Sequence, residues 1–216
     1  MMNSSSPHRG GAAAHMKAVA LKLFAERGID GVTVRQIAEA AGQKNHNALT
    51  YYFGSKDALI RELIVDGARA IDQRRKDWIN LRAQRGGPAT VFEVVQGLVV
   101  TSIDPDPPAW GECYNRFVVG LQMSNRAFFM EVVGGEWNTG YVTFLNEIRR
   151  LMPDLPSEVL NQRFVFLGSA LGGILAAREA ELADRTREHP MWSSPDTLDA
   201  VAQALTAIVE NRSIGQ

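Results

Sequence analysis

Asn47, Thr50 and Tyr51 stand three and four residues apart in the stretch "AGQKNHNALTYYFGSKDAL", residues 41–59. On one helix face, these three can read base edges. The Asn amide pairs a donor with an acceptor, which suits adenine. The Thr side chain can hydrogen-bond or offer its methyl to thymine, and the Tyr can use its ring edge or its hydroxyl. Lys44, Asn45 and His46 come just before them, where a helix N-terminus presents free N–H groups and a positive dipole to phosphate. Ala48, Leu49 and Tyr52 give the same helix an apolar back. The competing reading of the polar face is plain solvation.

Other chemistries find little support. His8, His15, His46 and His189 are scattered and Cys113 is the one cysteine, so no zinc spacing is present. No Gly-rich phosphate loop runs into Lys-Ser/Thr, and no Gly-x-Ser-x-Gly occurs. Glu131 and Glu136 are isolated carboxylates on a helical pattern. The chain is therefore read as no enzyme, with no catalytic residue, metal or cofactor assigned. A ligand-binding or scaffold protein without DNA activity is the remaining alternative. Salt-dependent DNA binding separates it from a DNA-binding protein.

Composition is that of a soluble globular chain: 45% hydrophobic and 22% charged over 216 residues. The net charge is −1, but it is unevenly spread. Residues 1–60 hold seven Lys and Arg against four Asp and Glu; the rest holds sixteen against twenty. This is either scatter or a small basic module on a larger acidic body. A single cysteine forms no internal disulfide and fits a reducing cytoplasm. The first fifteen residues do not resemble a signal peptide. The most apolar run, Phe164 to Ala177, has 14 residues, short of the about 20 of a membrane span. It reads as a buried helix in a cytoplasmic protein that engages no membrane.

Several elements must position the three residues. Residues 1–14 are low in complexity and read as a disordered arm, with Arg9 as its one cation. Val19, Leu23 and Phe24 follow at helical spacing, and Gly28 ends that helix. Thr33 with Gln36 forms a capping box, Val32 with Ile37 a hydrophobic staple, and Gly42 a stop, which places a helix over 33–41. After a short turn comes the helix carrying Asn47, Thr50 and Tyr51. Ser55 caps a long helix to about residue 81, with Asp57 in its first turn. Pro-rich breaks then separate helices near 89–103, 109–124, 126–151, 156–187 and 196–211. The fold class is all-α with about nine helices.

A capped helix, a glycine turn and a second short helix form the helix-turn-helix plan, whose second helix enters the major groove. With "LFAERGIDGVTVRQIAEAAG" and "LTYYFGSKDALI", residues 16–60 resemble the N-terminal domain of the tetracycline-repressor (TetR) family of bacterial transcription regulators. The Phe-x-x-Arg-Gly, Thr-Val-x-x-Ile-Ala, Ala-Gly and Tyr-Phe-x-Ser-Lys elements occur in order. The segment before Ala48 is one residue longer than the commoner pattern, and Thr50-Tyr51 stands where Tyr-His is usual. The resemblance implies base contacts from Asn47, Thr50 and Tyr51. It implies backbone contacts from Thr33, Tyr52 and Lys56, which join Lys44 and His46 at the helix entry. It also implies a DNA-binding domain over 15–60 and a ligand-binding and dimerisation domain over 61–216.

The resemblance further implies a homodimer on a palindromic double-stranded operator, usually as a repressor, released by a small and largely apolar effector. Gly168, Gly172 and Ala176 form a small-residue ridge, and Leu198, Val201, Leu205 and Ile208 an apolar seam. Both are candidates for the dimer interface, with intramolecular core as the alternative. Trp110, Cys113, Tyr114, Phe117, Trp137 and Tyr141 are candidates for an effector pocket, and Asn115, Gln122 and Asn138 for its polar contacts. For each aromatic, plain core packing is the competing reading.

Overall fold

A run of alanines draws the first helix further back than the expected arm allows. In the computed structural model, which describes residues 7–45, 47–106, 112–134, 136–194 and 196–211, α1 spans Pro7–Arg27. Ala12, Ala13 and Ala14 are strong helix formers. Ala13 packs against the core one turn before Met16. The arm expected over 1–14 is thus helical from Pro7 on; residues 1–6 lie outside the described residues. Met16, Ala20, Leu23 and Phe24 line one buried stripe, the spacing of a helix with one face inside. Gly28, at φ +72°, closes α1 by donating to the Phe24 carbonyl.

The short helices follow their local signals. α2 (Val34–Ala40) carries the full capping box. Thr33 Oγ1 accepts from the Gln36 backbone N–H at 3.2 Å, and Gln36 Oε1 accepts from the Thr33 N–H at 2.8 Å. Val32 and Ile37 are both buried in the same cluster. α3 (Ala48–Phe53) and α4 (Lys56–Ala83) are joined through Gly54, at φ +79°. Ser55 caps α4 by accepting from the Ala58 N–H.

Beyond residue 88 the helices are α5 (Val91–Thr101), α6 (Tyr114–Val133), α7 (Thr139–Leu151), α8 (Ser157–Ala183), α9 (Pro190–Ser193) and α10 (Asp196–Glu210). The described residues contain ten helices and no strand. The break expected near 125 is a kink inside α6, where Asn125 is non-helical (φ −149°, ψ 67°) and its Oδ1 restarts the helix by accepting from the Phe128 N–H. The true interruption falls later, between Val133 and Thr139, at a turn that includes Gly134. So the single helix expected over 126–151 is two. α6 starts at Tyr114, where a carboxylate from α8 meets its first turn; the start expected at 109 lies outside the described residues. Glu179 accepts from the backbone N–H groups of Asn115 (2.9 Å) and Arg116 (2.7 Å).

Two apolar clusters result. One joins α1, α2, α3 and the first half of α4 to Phe117, Leu121, Phe129 and Val133 of α6. The other joins α5, α7, α8 and α10. The boundary expected at residue 60 is therefore no break in packing: Leu63, Ile64 and Ala68 share a core with Leu49. α1 and the two short helices α2 and α3 bury too little apolar surface alone, so α4 and α6 complete their core.

α8 is long and apolar enough, by length and composition alone, to cross a membrane. It is buried on one face only. Leu160, Phe164, Leu167, Leu171 and Leu175 point into the second cluster, while Val165 and Phe166 are exposed. The expectation of a buried helix holds for one side of it.

Candidate nucleic-acid interface

α3 is short because it is defined by its packing. Ala48, Leu49 and Phe53 are buried and Tyr52 is partly buried against the same cluster. Phe53 completes an apolar back that Ala48, Leu49 and Tyr52 alone were expected to form. The entry is held by Asn45, whose Oδ1 accepts from the Asn47 N–H at 2.9 Å. Asn47 occupies the N-cap position without using its side chain as a cap. Its amide is therefore not consumed by the backbone, as an Asn at that position commonly is.

Asn47, Thr50 and Tyr51 are all exposed, Tyr51 at 64%. The structure brings them together on the outer side of α3. The Tyr51 ring meets Tyr52 edge-on, centroids 5.2 Å apart and planes at 78°. A partly buried neighbour thus braces the exposed ring and narrows its rotamers.

The expected backbone-contacting residues divide. Lys44 is exposed in the turn between α2 and α3. His46 lies outside the described residues. Thr33 is exposed, but its hydroxyl serves the cap: Oγ1 accepts from the Gln36 N–H and donates to Gln36 Oε1 at 3.0 Å. Lys56 is partly buried, donates from Nζ to the Ile29 carbonyl at 2.6 Å, and lies 5.7 Å from the Phe24 ring centroid. It ties the start of α4 to the turn after α1, a role its sequence position did not disclose. Its ammonium keeps two further protons for an acceptor.

The expected effector residues are packed as core. Phe117 is fully buried, and Tyr114 donates from its hydroxyl to the Ile64 carbonyl at 2.9 Å while its ring covers Gly67. Cys113 is buried; burial, helped by Glu179, pushes its thiol up to about 12, so it stays protonated at neutral pH. Trp137 lies under the Arg69 guanidinium at 4.6 Å and Tyr141 under that of Arg75 at 5.2 Å. Trp110 lies outside the described residues. Asn115 is engaged by Glu179 and the Ser102 carbonyl. Two open clefts among the described residues lie elsewhere. One, of about 340 Å³, sits between Trp78, Gly87, Pro88 and Arg150; the other, of about 200 Å³, sits between Asp30, Asp57, Ser124 and Phe128.

The expected dimer residues also turn inward. A Cβ on Gly168 would lie 3.0 Å from the Tyr141 hydroxyl, and one on Gly172 3.3 Å from Val119. The ridge with Ala176 lets α8 approach α7 and α6 of its own chain. Val201 and Leu205 are buried, and Leu198 and Ile208 pack against the same cluster. These positions are correctly apolar, but the monomer already uses them. What stays outside is Val165, Phe166, Ser169, Gly173 and Ala177 on α8, with Ala200, Ala204 and Ala207 on α10.

Residues 18–63 match the family described as bacterial regulatory proteins, tetR family. No curated protein matches the chain. Among solved structures, a transcriptional regulator from Rhodococcus sp. Rha1 is similar at 13% identity and TM-score 0.57, over 91% of this chain and 95% of that one. The TetR family regulator PfmR from Thermus thermophilus is similar at 16% identity and TM-score 0.47, over 90% and 96%. The first likeness covers the helices beyond the matched segment as well. The helix-turn-helix segment is thus the part of the chain that matches the tetR-family model, while the likeness of the whole chain to the Rhodococcus regulator is one of all-helical fold.

Proposed function

We propose that this protein is a ligand-responsive transcriptional repressor, cytoplasmic, that binds a palindromic operator as a homodimer. The observation that carries the reading is α3: an exposed polar face of Asn47, Thr50 and Tyr51 over a sealed apolar back. Those three side chains read bases. Lys44 and His46 meet phosphate at the helix entry, while Tyr52, Lys56 and Thr33 brace the helix and reach the backbone from its flanks.

The second copy docks on the exposed apolar strip of α8 and α10 around Phe166, Gly173 and Ala204. A two-fold dimer then presents two α3 helices to two half-sites. α6 couples effector to DNA. Arg116 donates to the Ala25 carbonyl at the end of α1, and Glu131 pairs with Arg61 of α4 at 2.9 Å. A small effector that prefers one arrangement of α4 and α6 lowers operator affinity by its differential affinity for the two states.

A salt-dependent mobility-shift assay tests the division of roles. Lys44→Ala weakens binding to all sequences and reduces the log–log salt slope by about 1. Asn47→Ala relaxes preference at one base pair, about 1–3 kcal/mol, with the salt slope kept. If both variants change binding in the same way, the assignment of reading and anchoring residues is wrong.

A further inference from the structure

The two apolar clusters share no residue. Apolar contact has little direction, so the angle between the reading head and the helices of the second cluster is set by polar bonds. α4 runs past both clusters, and the first turn of α6 bonds to both sides.

Three consecutive residues of that turn reach three different helices. Tyr114 donates from its hydroxyl to the Ile64 carbonyl of α4 at 2.9 Å. Asn115 donates from Nδ2 to the Ser102 carbonyl at the end of α5 at 3.1 Å. Arg116 donates from Nη2 to the Ala25 carbonyl near the end of α1 at 3.3 Å. One side chain fixes the turn that carries all three. Glu179 of α8 is 2% exposed. Its Oε1 accepts from the Asn115 N–H at 2.9 Å and from the Asn115 amide at 2.8 Å, and its Oε2 accepts from the Arg116 N–H at 2.7 Å.

Glu179 has no ion pair among the described residues; Arg178 beside it is held by Glu112 at 2.6 Å. Burying a carboxylate without a cation is a costly way to join two helices. Three directed donors on two oxygens fix the rotation and height of α6 against α8, which an apolar side chain there would not. The outer side of α8 is the strip on which the second copy docks in the reading above. A line of contacts therefore runs from the partner through α8, Glu179, the first turn of α6 and Arg116 to the end of α1, on which α2 and α3 pack.

We propose that Glu179 is a positioning residue for DNA binding: through Arg116 it sets the angle of the reading head on α8, and with it the spacing of the two α3 helices in the dimer. The inference rests on the dimeric DNA-binding reading and concerns the geometry of the dimer itself, not the effector.

The test uses the full chain, duplexes that it selects from a random pool, and the same duplexes lengthened by one base pair between the half-sites. That insertion turns one half-site by about 35° around the duplex axis. The native chain binds the selected spacing more tightly than the lengthened one. Glu179→Gln puts a donor in place of one acceptor oxygen, and Arg116→Met cuts the bond to Ala25. Each reduces the ratio of the two affinities by about threefold or more. Sedimentation and the half-site sequence that each variant selects stay native. A loss of folded protein alone would weaken both duplexes equally and leave the ratio unmoved. In the double variant the ratio falls no further than in the stronger single one, because both act along one connection. If Glu179→Gln does not fold, Arg116→Met carries the test, since its backbone N–H still meets Glu179. The proposal is overturned if a folded variant keeps the native ratio, if the two effects multiply in the double variant, or if the native chain is indifferent to spacing. A native chain that enriches no duplex removes the DNA-binding reading and this inference together. Enrichment with an unchanged ratio in the variants removes this inference alone.

Discussion

Asp72 is one of the residues through which α4 holds α7. Burial works to raise its carboxyl, but donors from Lys76, the Gly140 N–H and Thr139 outweigh burial and hold it below its ordinary value. A carboxylate whose folded pKa is depressed contributes stability above its unfolded pKa, about 4, and loses it as pH falls through the folded value. Asp72→Asn therefore melts lower than the native chain at pH 7, by about 1–3 kcal/mol, since buried donors lose a charged acceptor. The gap narrows below about pH 4. Melting curves across pH check this, and a gap constant from pH 7 to pH 3 contradicts it. Residues of this kind were not legible in the sequence. Lys76, four positions on, is a local partner of Asp72, but Gly140 and, for Glu179, Asn115 lie 68 and 64 positions away, and nothing local marks them. Thr33 was legible because Gln36, its whole partner set, sits three residues on. Lys56 was half legible: its place at the start of α4 could be read, its bond to the Ile29 carbonyl could not.

At the scale of the element, α2 and α4 fall close to where their caps and glycines put them, because both ends of each carry local chemistry. α6 and α7 do not. A break was read at Asn125, where the chain bends and continues, and none at 134–138, where it turns. The hydrophobic spacing runs through both places alike, so periodicity could not tell a kink from a turn. Close approach of elements was equally hidden. On α4, Gly67 faces the Tyr114 ring, and a Cβ there would lie 2.0 Å from it. Gly→Ala inside an exposed helix gains up to about 1 kcal/mol. Here the sign reverses: Gly67→Ala overpacks the α4–α6 contact and costs about 1–3 kcal/mol. Thermal melting decides between the two, and a rise in melting temperature would show that α6 yields to α4 more easily than this packing implies.

For the whole molecule, the apolar positions of α8 and α10 could be read from sequence, but not which of them the monomer keeps. Val201 and Leu205 went inside, while Phe166, 52% exposed, stayed out. A charge at that exposed position leaves the monomer's core untouched. The proposed dimer predicts that Phe166→Glu sediments as a monomer at concentrations where the native chain sediments as a dimer, while melting temperature in dilute solution changes little. Unchanged sedimentation would place the interface elsewhere. The central claim is that two α3 helices, held by that dimer, read a symmetric sequence. Selection of bound duplexes from a random pool by the native chain tests it most directly. The account predicts enrichment of one sequence with two inverted half-sites about one or more helical turns apart, lost when Asn47 and Thr50 are both replaced by Ala. A bound pool no different in sequence from the starting pool would contradict it.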